Sequence, residues 1–266
     1  MRGRIVTHPG SAHFDEFLAV SLVLAARPET NFCIERRDPR PEELDDPATW
    51  VIDIGNRHEP ALLNFDHHQD LDLPSSFVLV ARHLGLHERL SRNIWWDYKD
   101  RIDRFGPYQV AEEMQTATLK PTFSPFEEWF LEEFEKSPLT VYQVMKLFGR
   151  SLIDAAEHFE RQYAFWQGAE QRRVRDKVVL IGLTEDATGA QEVRDDMPEP
   201  ATIAVTYDSR GEGWKLYRFN DDASVDFSRV ESHPQIAFAH KGGFIAKTAT
   251  RIPLDDVMEI VARAIK

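Results

Sequence analysis

Strand and helix signals alternate through the first third of this 266-residue chain, and two of the expected strands run out onto polar residues. Residues 4–7 read as a short strand that delivers His8. Residues 14–26 have helical composition, and Pro28 stops them. Residues 32–35 read as a strand and residues 36–47 as a charged, proline-containing connection. Residues 50–54 read as a buried strand carrying Asp53 at its end, and residues 74–85 as a helix capped by Ser75 or Ser76. Strands alternating with helices favour a parallel α/β sheet. Ligands gather at the carboxyl ends of the strands in such sheets, where Asp53 and the residues after Val6 stand.

The middle of the chain reads as helical. Ser124-Pro125-Phe126-Glu127 has the capping-box pattern with proline at the first helical position. Phe126, Trp129, Phe130 and Phe134 follow at helical spacing, which predicts core packing. A second helix is expected over residues 140–173, with Val144, Leu147, Phe148, Leu152 and Ala155 on its apolar positions. From Lys177 the pattern changes again. Residues 178–181, 202–207, 214–219 and 236–239 read as strands, Asp208-Ser209-Arg210-Gly211 as a hairpin turn, and residues 253–265 as a helix. The expected organisation is a catalytic α/β domain with a parallel sheet over residues 1–120, a helical connecting segment over 121–175, and a smaller α/β domain over 176–266.

Four segments concentrate histidine and aspartate: residues 7–16, 51–53, 65–69 and 100–103. Three follow apolar stretches and would emerge together from one sheet edge. Imidazole and carboxylate are ligands that first-row divalent ions take, Mn²⁺ among them. Taken singly, each residue has a plainer reading: His8 or His13 as an ordinary histidine, Asp15 as a helix cap, Asp53 as a strand end, Asp66-His67-His68 as a polar loop. The single cysteine, Cys33, excludes a thiolate-rich site and any disulfide within the chain, so a reducing, cytoplasmic setting is the expectation. The N-terminal residues lack the apolar run of a signal peptide, and no stretch reaches membrane-spanning length. A net charge of -13 argues against a protein that grips long duplexes by neutralising phosphates.

The motifs Thr7-His8-Pro9-Gly10, His13-Phe14-Asp15-Glu16 and Asn64-Phe65-Asp66-His67-His68-Gln69, with the strand-end Asp53 between them, resemble the DHH phosphoesterase superfamily. They look closest to its Myg-type exonuclease branch. The resemblance covers roughly residues 5–106, with a weaker echo at 224–246. It implies a hydrolase with two divalent ions, Mn²⁺ expected and Mg²⁺ or Co²⁺ as alternatives. His8, His13 and Asp53 would hold one ion. Asp15, Asp53, His67 and a fourth-motif aspartate would hold the other, with Asp53 bridging. The segment Asp100-Arg101-Ile102-Asp103-Arg104-Phe105-Gly106 has one residue more than the usual fourth motif, which leaves Asp97, Asp100 and Asp103 in contention, with Asp103 favoured. Asp66 and His68 are assigned to catalysis, Asp66 orienting a histidine and His68 facing the substrate phosphate.

The C-terminal segment carries Arg229 and then His240-Lys241-Gly242-Gly243. Paired glycines allow a backbone to approach a phosphate closely, Lys241 adds a charge and Arg229 a bidentate donor. These residues are expected to bind substrate across a cleft from the ions. The expected activity is phosphodiester hydrolysis on short single-stranded nucleic acid or a small nucleotide. A pyrophosphatase-like activity and a nucleotide-sensing module without turnover are the alternatives. No membrane partner is expected, and homo-oligomerisation is left open.

Overall fold

The first sheet of the computed structural model is ordered β2-β1-β3-β5-β4. Its elements, in chain order, are β1 (Arg2–Thr7), α1 (Phe14–Ala26), β2 (Asn31–Arg36), α2 (Pro41–Leu44), β3 (Thr49–Ile52), β4 (His58–Glu59) and β5 (Asn64–Phe65). α3 (Ser76–His83), α4 (His87–Leu90), α5 (Trp96–Phe105), α6 (Pro107–Glu113), α7 (Pro125–Lys136) and α8 (Pro138–Gln167) follow. The structure describes residues 2–115 and 125–266, so the expected cap at Ser124 lies outside the described residues. The chain divides into two compact units, Met1–Ala156 and Glu157–Lys266, a division that falls within α8 and splits the expected connecting segment between them.

In the first unit β2, β1, β3 and β5 run parallel, and only β4 is antiparallel. The last residues of three strands are in register, Thr7 with Ile52 and Ile52 with Phe65. The residues that follow them, His8, Asp53 and Asp66, therefore leave the sheet side by side. α1 is buried from Asp15 through Ala25. A helix that is apolar all round must be covered all round, and α3, α5, α7 and β3 all contact it. α8 comes close to α1 at Gly149, where an added Cβ would stand 2.2 Å from the Ser21 carbonyl oxygen.

The second unit adds β6 (Glu170–Val174), β7 (Lys177–Ile181), α9 (Ala190–Asp196), β8 (Ile203–Tyr207), β9 (Trp214–Arg218), β10 (Ile236–Ala239), β11 (Ile245–Thr248) and α10 (Leu254–Ala264). Its sheet is ordered β10-β11-β9-β8-β7-β6. One face closes on α10 through Ile181, Val205, Leu216, Val257 and Val261.

Several expectations from the sequence are corrected. The long helix stops at Gln167 rather than running to residue 173, because residues 170–174 pair with β7 as an edge strand. Polar, charged side chains suit an edge, and they mimic a helix surface. Of the α7 aromatics, Phe134 is fully buried but Phe126 is 72% and Trp129 51% exposed, so helical spacing did not mean core. The connection at 36–47 contains α2. Among the described residues no helix is long and apolar enough to cross a membrane.

Candidate metal centre

Asp53 follows β3 in a backbone conformation that few side chains tolerate. Asp53, Gly55 and Asn56 take positive φ values of 60°, 100° and 51°. Aspartate, asparagine and glycine are the residues that accept this region most readily. The turn they form folds the chain back so that the Asn56 amide donates to Asp66 Oδ2 at 2.6 Å. The β3–β5 pairing, extended by an Asp53 amide bond to the Phe65 carbonyl at 2.9 Å, fixes the two segments together.

His8 leaves β1 toward α1 and Asp53. Its Nε2 lies 3.1 Å from Glu16 Oε1 and 3.5 Å from Asp53 Oδ2. The rings of His8 and His13 have centroids 5.2 Å apart. Glu16 holds this corner in shape. Both its oxygens accept from the His13 amide at 2.9 Å, and Arg36 pairs with it at 3.0 Å. His8, His13, Glu16 and Asp53 can each offer one ligand atom with all four atoms within 4.8 Å of one another, and two further sets do the same: Asp53, His67 and His68; Asp15, His67 and Asp103.

His67 joins the second side of the site. Its Nε2 lies 3.5 Å from Asp15 Oδ2, 3.4 Å from Asp53 Oδ1 and 3.2 Å from Asp103 Oδ2. The N-terminus of α3 organises the surrounding acids. The Ser76 amide donates to Asp15 Oδ2 at 2.8 Å and the Phe77 amide to Asp15 Oδ1 at 2.5 Å. Ser75 donates to Asp100 Oδ1 through its amide at 2.7 Å and its hydroxyl at 2.8 Å. Ser76 Oγ donates to Asp53 Oδ1 at 3.1 Å. Thus Ser75 occupies the cap position, but carboxylates brought from α1 and α5 satisfy the amides that a helix start leaves open. Such amides and the helix dipole favour negative charge.

The three aspartates of the fourth segment divide by position on α5. Asp103 faces His67. Asp100 is buried and spends one oxygen on Ser75 and the other on Arg104, 3.3 Å away. Asp97 is exposed and lies 3.8 Å from Arg101.

Electrostatics follow from this crowding. Burial first, then the charges of Asp103 and Asp53, push the Asp15 pKa well above the carboxylate range against the pull of the Ser76 and Phe77 amides. Burial acts to lower His67, but Asp103 and Asp53 outweigh it and raise it to about 10. Burial likewise acts on His8, and Glu16, the Pro9 carbonyl and Asp53 raise it to about 9. For Asp66 burial acts upward, but hydrogen bonds from His68 and Asn56 bring it below the ordinary value. The donor set fits a divalent ion. Two donors each about 2.1 Å from one ion stand no more than ~4.2 Å apart, and the approaches to His8 and His67 fall within that. Asp103 Oδ2 and His8 Nε2 are buried without a properly directed hydrogen bond.

Of the residues singled out in the sequence, His8, His13, Asp15, Asp53, His67, His68 and Asp103 come together in the first unit, with Asp66 behind His68. Arg229, His240, Lys241, Gly242 and Gly243 lie in the second unit. Arg229 donates to the Ile265 carbonyl at 2.7 Å. His240, Lys241, Gly242 and Gly243 form the β10–β11 turn, in which the Gly242 amide donates to His240 Nδ1 at 2.9 Å. Gly243 has a φ of 72° and an added Cβ would sit 2.3 Å from Asp226 Oδ1, so this glycine is already required by the turn. Glu16, Arg36, Ser75 and Ser76 were given no place in the site by sequence reasoning. The capping-box spacing from His13 to Glu16 was the one available signal.

A family model named MYG1_exonuc and described as Uncharacterised protein family (UPF0160) matches residues 4–73. No curated protein matches the chain. Among solved structures, RecJ in complex with Mn²⁺ from Thermus thermophilus is 12% identical, with the match covering 98% of this chain and 51% of that one at a TM-score of 0.29. This chain therefore spans about half the length of that RecJ chain. An uncharacterized protein from Helicobacter pylori is 10% identical, with 98% and 99% covered and a TM-score of 0.25. Neither likeness is close enough to bear on the fold or the activity.

Proposed function

We propose that this chain is a metal-dependent phosphoester hydrolase with a two-ion site, acting on short single-stranded nucleic acid or small nucleotides. The observation that carries this reading is the position of Asp53, a buried carboxylate shared by the His8 and His67 sides of the site. His8, His13 and Asp53 would hold one ion, and Asp15, Asp53, His67 and Asp103 would hold the other. The family-model match supports the reading, since it spans residues 4–73 and so includes His8 through His68. With only imidazole and carboxylate donors, Mn²⁺ is the expected activator. Bound there, two divalent ions would supply Lewis acidity toward the phosphoryl oxygens and an activated water at neutral pH.

The protein's own groups prepare the rest. Asp66 Oδ1 lies 2.7 Å from His68 Nδ1. An ionised carboxylate only accepts, so Nδ1 carries a proton and Nε2 is left to face the substrate. His68 then donates a hydrogen bond to a phosphoryl or leaving oxygen when doubly protonated. Glu16, anchored by Arg36, fixes the approach of His8 and His13.

A turnover panel with Mn²⁺ tests the reading: pyrophosphate, dinucleotides, short RNA and DNA strands, and duplexes, each with a chelator control. Mn²⁺-dependent hydrolysis of dinucleotides and short strands is expected. If protein carrying two ions turns over no phosphodiester in the panel, the assignment fails.

A further inference from the structure

The face of the second sheet opposite α10 is covered over β7 and β8 by Trp166, Ala190 and Val193, and over β9–β11 it carries two lysines side by side. Phe238 is paired with Lys247, and Lys247 with Lys215, across adjacent antiparallel strands β10, β11 and β9. Residues directly opposite in antiparallel strands project from the same face, so the two ammonium groups are direct neighbours, an arrangement that destabilises a sheet. Asp208 Oδ1 lies 2.6 Å from Lys247 Nζ and also accepts from the Arg210 amide at 3.3 Å, while its charge and that of Asp186 act on Lys215 from beyond ion-pair distance. Among the described residues no carboxylate comes within ion-pair distance of Lys215. Its side chain is half-buried, with the ammonium 5.6 Å from the centroid of Tyr217. Burial, the leading influence, holds the Lys215 pKa below the usual lysine value. A partly desolvated cation beside a like charge calls for an anion.

We infer that this face is a binding site for single-stranded nucleic acid, with a phosphate lodged between Lys215 and Lys247 and a base stacked on Phe238. A groove of about 690 Å³ lies over these residues, which is room for a nucleotide; Arg210 and Ile245 also line it, and the carboxylates Asp208 and Glu212 stand against the three cations Arg210, Lys215 and Lys247. Phe238 is 46% exposed, so its ring is available at the edge of the groove. Cationic side chains beside an exposed aromatic ring are the arrangement by which proteins hold single strands without reading sequence. In a chain with a net charge of -13, a single concentrated site of this kind supports contact with one or two phosphates and not with a long duplex. The choice of nucleic acid as ligand rests on the phosphoester reading above, whereas the anion site itself does not.

The test is equilibrium binding of a fluorescently labelled pentanucleotide, DNA and RNA in parallel, to the full chain with chelator present so that no turnover occurs. Lys215→Gln and Phe238→Ala are each expected to weaken binding about tenfold, within the range that one phosphate contact or one stacked base supports. Lys215→Gln is also expected to flatten the salt dependence by about 0.7 in log–log slope. Lys215→Arg, which keeps the charge, should bind within about twofold of wild type, and thermal melts check that every variant is folded. Wild-type affinity and salt slope in both Lys215→Gln and Phe238→Ala would overturn the site. A loss in Lys215→Gln with Phe238→Ala unchanged would overturn the assignment to nucleic acid. Because no hydrolysis is measured, failure here leaves the turnover panel untouched, and failure of that panel leaves this measurement intact.

Discussion

Asp100 and Asp103 stand one helical turn apart on α5 and have different duties. Asp100 holds the first turn of α3 through Ser75, so Asp100→Ala should lower stability by about 1–3 kcal/mol, the cost of stranding buried donors. A thermal or urea melt reads this directly. Asp103→Ala should leave the melt unchanged and reduce turnover by more than the ~10–100-fold typical of outer partners of a metal site. A dead but stable Asp100→Ala enzyme would reverse the two roles. Asp53→Asn keeps the backbone the turn demands but removes the shared charge, and should lose both ions by elemental analysis. Full occupancy in that variant would exclude a bridging role. The raised histidines give a further outcome. At pH 7 His8, near 9, and His67, near 10, both carry protons in the metal-free protein, and a metal takes only neutral imidazole. Metal uptake should therefore release protons into a weakly buffered solution at pH 7, and the release should fade as pH rises through 9 and 10. His8 and Asp53 were legible in the sequence because each follows an apolar run. Among the fourth-segment aspartates the sequence favoured Asp103 but left Asp97 and Asp100 open, because helix phase against α3 and His67 separates them, and neither partner is local in sequence.

At the scale of elements, α1 and α3 were legible because apolar residues fill them and proline or serine marks an end. β6 was not. Its sequence, Glu-Gln-Arg-Arg-Val, has helical composition, and only pairing with β7 makes it a strand. The same tertiary override explains α7, where aromatics at identical spacing divide between core and surface. The approach of α8 to α1 gives a sharp test. Gly149→Ala would place a methyl group against the Ser21 backbone, and neither helix backbone can yield locally. The expected cost is about 1–3 kcal/mol of stability, the usual range for overpacking. An unchanged melting temperature would mean the two helices separate more readily than their packing implies.

For the whole molecule, charge decides what kind of nucleic acid is compatible. With a net charge of -13 there is little to release counterions along a duplex, so short single strands should be turned over faster than duplexes of equal length. Competition between a labelled short strand and unlabelled long duplex measures this, and tight duplex binding that collapses steeply with salt would contradict it. The change of pattern near Lys177 lies inside the second unit, whose boundary with the first falls between Ala156 and Glu157. The sequence could not show that the boundary falls inside a continuous helix, because nothing in the periodicity of α8 changes at residue 156.

The left-handed turn at Asp53 isolates this chain in sequence space. Asparagine and glycine share its backbone freedom but carry no charge. Glutamate carries the charge but prefers neither the conformation nor the shorter reach. No single replacement meets both demands, so no graded series of weaker sites leads away from Asp53, and drift at this position would end the proposed two-ion arrangement in one step.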